Sequence, residues 1–473
     1  MIPKYLYIIA LSVIVVFVSG CKKYLNIQPE DKYTQEQVFS NELAVQQALN
    51  GLYFNLSSGT LYGVNMTNTT LELMAQRYNV SLNSTTVASY QQFQLYTYTD
   101  ANTLSVYDNI WTSTYSTITK ANAFILNLKE AEDRGIISHS NAGLLKGEAI
   151  GIRAMLHFDM LRIFGPVYLV SPDAKAIPYY KNADAVKKEV LTAKQVLDSV
   201  SADLATAKAL LAGDPVINGG VINGSNFYSS HRNQRLNYYA VEALQARVFL
   251  YAGKRPEANQ AARLVLQQGE KWFPWLPYTS IVNNPSPDRI FSTEVLFGVY
   301  NQDMYTNQTA LFSPELNNLL TPLPERLTST FEGNQNDYRY YTTWVDGIKG
   351  RTFFKFADLA DKTKPWRFIQ PLIRKSELYY IIAETETDPS AAINFLNTAR
   401  FNRGLVNLPP TASLDAEIQK EYQKEFWGEG QLFFYYKRKN RTSIPSAVSP
   451  TANISMNTAK YVLPLPLSET SLR

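Results

Sequence analysis

The sequence predicts a mainly α protein, a scaffold of helical hairpins interrupted by two long loop-rich insertions. Three observations carry this expectation. Apolar residues recur three and four positions apart along most of the chain, the pattern of helices that bury one face. Alanines cluster in adjacent helical stretches joined by a short glycine turn, as closely crossing hairpins require. Between these stretches lie residues 57–105 and 269–370, too polar to build a core and too aromatic to be simple linkers.

The elements follow in order. Lys4 precedes an apolar run from Tyr5 to Val18, too short for a comfortable membrane span, and Val18-Ser19-Gly20-Cys21 comes next. The only cysteine of the chain stands there, which excludes an internal disulfide. This ending resembles the bacterial lipobox. The resemblance implies a signal peptide over residues 1–20, lipid on Cys21 and an extended tether over 21–40, leaving 41–473 as one helical domain. A helix begins near Asn41, with Leu43, Ala44, Ala48, Leu52 and Tyr53 in phase. Residues 57–105 read as loop and short strand. Trp111, Tyr115, Ile118, Asn122 and Ile125 form one stripe of a helix from Tyr107 to about Glu132. Ile150, Ala154, Phe158 and Leu161 share a face between Ala142 and Phe164, where Gly165-Pro166 stops the helix. Gln195–Leu211 is a third helix. Pro215 to Arg235, with Gly219-Gly220 and Asn223-Gly224, is a loop. Leu236–Gln268 reads as a hairpin turning at Gly253, and Ser376–Arg403 repeats it; both resemble tetratricopeptide units. A last helix covers Leu414–Glu429, and the tail is extended through Pro464-Leu465-Pro466.

Composition excludes some functions. The 45 basic and 41 acidic residues leave +4 with no dense basic block, so the electrostatic footprint of a nucleic-acid binder is absent. With 45% hydrophobic and 18% charged residues, the bulk of the chain is not disordered. Tyr outnumbers Phe, 31 to 23, which predicts aromatic surface that stays wet at one edge.

Several blocks in order resemble the SusD/RagB family of Bacteroidetes outer-membrane lipoproteins. They are Tyr24-Leu25-Asn26-Ile27-Gln28-Pro29, Trp111 with Tyr115, Ile118 and Ala121-Asn122, and Gly147-Glu148-Ala149 running through Arg153-Ala154, His157-Phe158 and Arg162 to Gly165-Pro166. Later blocks are Arg374 with Glu377, Ala383-Glu384, Leu396-Asn397 with Arg400, Glu421 with Glu425, Gly428-Glu429-Gly430, and the Pro464/Pro466 tail. Leu432 and Tyr435 depart from the family's usual Arg and Asp, and Lys22-Lys23 from its acidic residues beside the cysteine. The resemblance implies a tetratricopeptide-like, SusD-like fold without catalysis. It also implies a lipid-anchored, outward-facing outer-membrane protein that captures glycans and delivers them to a TonB-dependent transporter of the SusC type.

The residues themselves add chemistry. His139, His157 and His231 lie far apart with no metal-ligand spacing, so no metal or cofactor is expected, and His157 reads as a core residue. No Gly-x-Ser-x-Gly elbow occurs. Glu421, Glu425 and Glu429 share a helix face, but Lys420 and Lys424 interleave and make it a solvated or ion-paired face. Arg153 and Arg374 read as ties between helices. Sugar rings present C–H faces that stack on aromatics and hydroxyls that seek Asn, Asp, Arg or Gln. The ligand-binding candidates are therefore loop residues: Arg77, Tyr78, Asn79, Tyr96, Tyr98 and Asn102 in the first insertion, and Tyr300, Tyr305 and Trp344 in the second. Two other functions compete: a helical glycoside hydrolase, and a repeat module that binds a protein or peptide.

Overall fold

The structure, a computed structural model, describes residues 39–80, 85–184, 186–316, 320–348 and 350–471. The signal peptide, Cys21 and nearly all of the 21–40 tether lie outside the described residues. The chain is about 53% helical with few strands.

Local capping explains where the long helices begin. Asn41 accepts the Ala44 N–H at 3.0 Å to start α1 (Glu42–Leu56). Asp100 does the same for α2 (Ala101–Asp133), and Ser138 for α3 (His139–Phe164). A reciprocal Thr192/Gln195 capping box opens α4 (Ala193–Leu210). Every residue from Gly147 to Phe164 is buried, so α3 is the central pillar and lacks a polar face. The first hairpin is α5 (Tyr238–Tyr251) and α6 (Arg255–Gly269), turning at Gly253 with φ 74°, a conformation glycine adopts without strain. The second is α7 (Lys375–Thr385) and α8 (Pro389–Phe401). Each of α2 to α8 packs on the next, giving one continuous stack of helix pairs. Arg153 of α3 fastens this stack, donating to Asp203 of α4 at 2.8 Å and to Asn122 of α2 at 2.9 Å.

Two stretches differ from the sequence reading. The helix read as ending at Glu429 stops at Glu425 (α9, Leu414–Glu425), and α10 (Gln431–Arg438) follows a break at Gly428 and Gly430, with φ 75° and 69°. The first insertion is neither strand nor open loop. It contains the helices Thr70–Met74 and Thr85–Leu95, and Leu61, Tyr62, Met66, Leu71 and Leu73 are buried in the main core. Its polar residues reach the interior by bonding to backbone, as Thr67 Oγ1 does to the Tyr62 carbonyl at 2.9 Å.

Strands pin the remaining excursions. β1 (Lys175–Pro178) and β2 (Val190–Thr192) pair antiparallel. In the second insertion, β3 (Val295–Tyr300) pairs antiparallel with the later strand Ile369–Arg374, Val299 opposite Gln370 and Tyr300 opposite Ile369. The chain between them is thereby closed at its base, and it contains the hairpin Trp344–Gly347/Gly350–Phe353.

The Glu421/Glu425/Glu429 face is ion-paired, but inside the protein. Glu425 accepts from Arg339 at 2.9 Å, from Arg403 at 2.7 and 3.0 Å, and from Arg374, while Arg403 also meets Glu294 at 2.6 Å. Burial alone would raise these carboxyls; the surrounding cations outweigh it, holding Glu421 at about 2 and Glu425 well below the carboxylate range. The network joins the strand Ile369–Arg374, α8, α9 and the second insertion, and each of these glutamates is held by at least one cation.

Candidate functional site

The ligand candidates read from sequence separate into core and surface. Tyr78 (0% exposed) and Trp344 (1%) both pack on Trp427, at ring-centre distances of 6.2 and 4.7 Å. Arg77 stacks over the same Trp427 at 4.3 Å and pairs with Glu72 at 3.1 Å. The two insertions therefore do meet, but within the core, and these three side chains have no face left for a ligand. Tyr96 and Tyr98 are half-buried and anchored, the Tyr96 hydroxyl donating to the Met74 carbonyl at 2.7 Å and that of Tyr98 to the Lys460 carbonyl. Asn79 is half-buried and its N–H donates to the Thr321 carbonyl at 2.6 Å; Asn102 is exposed on the first turn of α2. Tyr300 is different. It ends β3, is 45% exposed, and its ring lies 5.3 Å from that of Phe368. The Tyr305 ring lies 4.5 Å from that of Phe368, and its hydroxyl accepts the Phe368 N–H at 3.3 Å.

Tyr300 borders a groove made of two adjoining cavities. One, about 430 Å³, is lined by Phe54, Phe227, Arg235, Tyr300 and Gln302 among others. The other, about 470 Å³, is lined by Asn223, Lys271, Trp272, Thr293 and Trp366 among others. They share His231 and Gln234. The loop forming their common wall is held from below. Arg232, buried, binds Asp214 at 3.0 Å and Glu148 of α3 at 2.6 Å, and Glu148 also accepts the Tyr53 hydroxyl at 2.6 Å. Above it, the Asn226 side chain accepts the N–H groups of Tyr228 and Ser229 at 3.0 Å each, an Asx turn that presents Phe227. Trp272 is fixed from two directions: its indole N–H donates to the Ile217 carbonyl at 3.0 Å, and the backbone of Gly220 lies against its ring. Only glycine fits there. Gly220 has φ 69° and ψ −151°, and a Cβ would come within 2.5 Å of the ring.

Three of the eight non-glycine residues with positive φ among the described residues lie at or beside this groove. His231 (φ 51°), Phe291 (55°) and Phe368 (67°) all adopt the left-handed backbone region that side chains avoid, and each lines the groove or adjoins residues that do. Such conformations persist only where the surrounding fold over-determines them, and they concentrate at ligand sites.

Chemically, the lining combines ring faces with amide edges. Phe54, Phe227, Tyr300, Trp272 and Trp366 supply the rings, and Asn50, Asn223, Asn226, Gln234 and Gln302 the amides. Thr293 Oγ1 and Trp366 Nε1, both on lining residues, are buried without a protein partner. No Asp or Glu lines either cavity. The surface suits a hydroxyl-rich ligand with an apolar face. Among the described residues, no group of three or more His, Cys, Asp or Glu could hold a metal. His157 is a core residue, its Nδ1 bonded to the Arg153 carbonyl at 2.9 Å and its Nε2 accepting the Tyr180 N–H at 3.1 Å.

Sequence reading missed Trp272, Trp366, Phe227 and the 219–235 wall as site residues. The signal was present in the Gly219-Gly220 and Asn223-Gly224 turns and in the Trp272-Phe273-Pro274-Trp275 run. What periodicity could not show was that Gly220 and Trp272 touch.

Comparison with known proteins agrees with the fold. Residues 23–219 match the SusD-like_3 family, described as starch-binding associating with outer membrane. A SusD superfamily protein from Bacteroides thetaiotaomicron is 21% identical, with a TM-score of 0.71 over 91% of this chain and 98% of its own. A SusD-like carbohydrate binding protein from Bacteroides vulgatus gives 18%, 0.69, 91% and 96%, and a laminarin binding SusD-like protein 19%, 0.65, 91% and 97%. No curated protein matches. The family match is thus confined to residues 23–219, and the fold shared with SusD superfamily structures extends over about 91% of the chain.

Proposed function

We propose that this chain is a glycan-capturing lipoprotein of the outer membrane, anchored through Cys21, that delivers its cargo to a SusC-like TonB-dependent transporter. Its groove carries the reading. Ring faces and amides surround two adjoining cavities within the usual size range of ligand pockets, and the lining contains no carboxylate. Sugar rings stack on such faces and hydrogen-bond to such edges. A glycosidase, by contrast, needs two carboxylates about 5–10 Å apart across its cleft. The nearby acids Glu148, Asp214 and Glu294 are instead engaged by Arg232 and Arg403. Capture without turnover follows. The outer-membrane description of the matched family and the carbohydrate and laminarin ligands of two fold neighbours support the same role. No helix among the described residues is long and apolar enough to cross a membrane, which fits attachment through lipid.

The test is calorimetry of the soluble chain against a panel of oligosaccharides, with Tyr300→Ala and Trp366→Ala alongside. Each stacking ring contributes about 1 kcal/mol, so each variant binds about fivefold more weakly. Wild-type affinity in both variants, or hydrolysis of the bound sugar, overturns the reading.

A further inference from the structure

Resting on that reading, we propose that the groove selects an anionic glycan, one carrying uronate or sulfate groups, and that Lys271 is the cation that meets the charge. Three rings of the groove each carry a cation. The Lys271 ammonium lies 4.4 Å from the centre of the Trp272 ring, Lys364 lies 5.4 Å from Trp366, and the Arg235 guanidinium lies 3.7 Å from Phe227. The opposing charges are spent elsewhere. Lys364 is paired with Asp361 at 3.2 Å. Arg235 shares Glu148 with Arg232, at 3.7 Å, and donates to Asn50 at 2.9 Å, yet its buried Nη1 has no hydrogen-bond acceptor. Lys271 is exposed and makes no ion pair among the described residues. Its neighbour Glu270 is turned to Lys375, at 3.6 Å, and to the Tyr379 hydroxyl, at 2.7 Å. Asp303 follows Gln302 but is not part of the lining. The groove therefore offers one uncommitted ammonium, that of Lys271, and no carboxylate in its lining to repel an anion. A neutral sugar leaves that ammonium unanswered, whereas a carboxylate or sulfate on the stacked residue answers it.

The test is affinity electrophoresis of the soluble chain in gels containing polygalacturonate, its methyl ester, alginate, chondroitin sulfate, starch, laminarin or xylan. Retardation by at least one anionic polysaccharide is expected, and the uronate and sulfate arms show which anion is read. A Lys271→Gln variant should bind that polysaccharide about fivefold more weakly, the effect of one ammonium–anion contact at about 4 Å in water, and Lys271→Arg should restore it. Raised salt should weaken the wild type more than Lys271→Gln. Retardation only by neutral polysaccharides overturns the anionic selection and leaves glycan capture standing. So does anionic retardation that survives Tyr300→Ala together with Trp366→Ala, since that is adsorption of a basic protein outside the groove. Unaltered binding by Lys271→Gln overturns the assignment of the cation. No retardation by any of the polysaccharides removes the capture reading and this inference with it.

Discussion

Gly220→Ala tests whether the groove is held open by backbone shape. The added Cβ would lie 2.5 Å from Cε3 of Trp272, 2.9 Å from Cδ2 and 3.3 Å from Cγ. Ordinary contact starts near 3.4 Å, so the ring has to retreat by about 1 Å. It cannot do so freely, because its indole N–H is tied to the Ile217 carbonyl at 3.0 Å. The backbone adds its own cost: φ 69° with ψ −151° is nearly closed to any side chain, at about 1–3 kcal/mol. For a chain of this size, that corresponds to a melting temperature lower by roughly 1–3 °C. Displacing the ring removes one stacking surface, about 1 kcal/mol, or a fivefold loss of glycan affinity. Gly219→Ala is the control, since its Cβ would meet only Ile222 at 3.4 Å with no positive φ. Melting curves and calorimetry on both variants decide the matter. If Gly220→Ala behaves like Gly219→Ala in both, the Gly220–Trp272 contact does not shape the site.

Three other predictions concern the anchor, the buried charges and pH. Cys21→Ala should move the protein from the membrane to the soluble fraction, because the proposed acyl chains would contribute about 0.8 kcal/mol per buried methylene; retention of the variant in outer membranes lacking any transporter partner would count against the lipobox. Glu425→Gln leaves Arg339, Arg374 and Arg403 short of one charge within the core, and should lower stability by about 3–5 kcal/mol in denaturant titration. A loss below about 1 kcal/mol, the scale of an exposed pair, would show that the network is open to water. Burial, with the charge of Arg153 assisting, depresses the His157 pKa from 6.5 to about 3. The neutral ring is favoured in the fold, so its contribution is complete above pH 6.5 and is lost as pH falls toward 3. Burial of Glu72 works in the opposite sense: its pKa rises from 4.5 to about 7, so its contribution is complete below pH 4.5 and fades as pH rises through 7. His157→Gln should therefore flatten the acid limb of the stability profile between pH 6.5 and 4, and an unchanged slope there would exclude His157 as a source.

How much of this could be read from sequence divides along physical lines. The helices were legible because their signals are local. The Trp111 stripe lies within α2, Gly165 caps α3, and Gly253 turns the first hairpin where spacing placed it. The Glu421/Glu425/Glu429 face was legible only as solvated or ion-paired. Its burial depends on Arg339, Arg374 and Arg403, supplied by three separate segments. Aromatics in the insertions were harder still. A tyrosine among Ser, Thr and Asn reads the same whether it faces water or folds inward, and Tyr78 and Trp344 fold inward because Trp427, far along the chain, offers them a partner.

The same folding inward gives the site its stiffness. With Trp344, Tyr78 and Arg77 packed around Trp427, and β3 paired to Ile369–Arg374, the described part of the excursion between those strands is tied to the core at Trp344 and at its base. The register sets Tyr300 opposite Ile369, three residues beyond Trp366, so one strand pair positions rings on both cavities of the groove. A ligand meeting rings already ordered does not bear the cost of immobilising each side chain, about 0.5–1.5 kcal/mol apiece. A few shallow stacking contacts can then suffice for the capture proposed above.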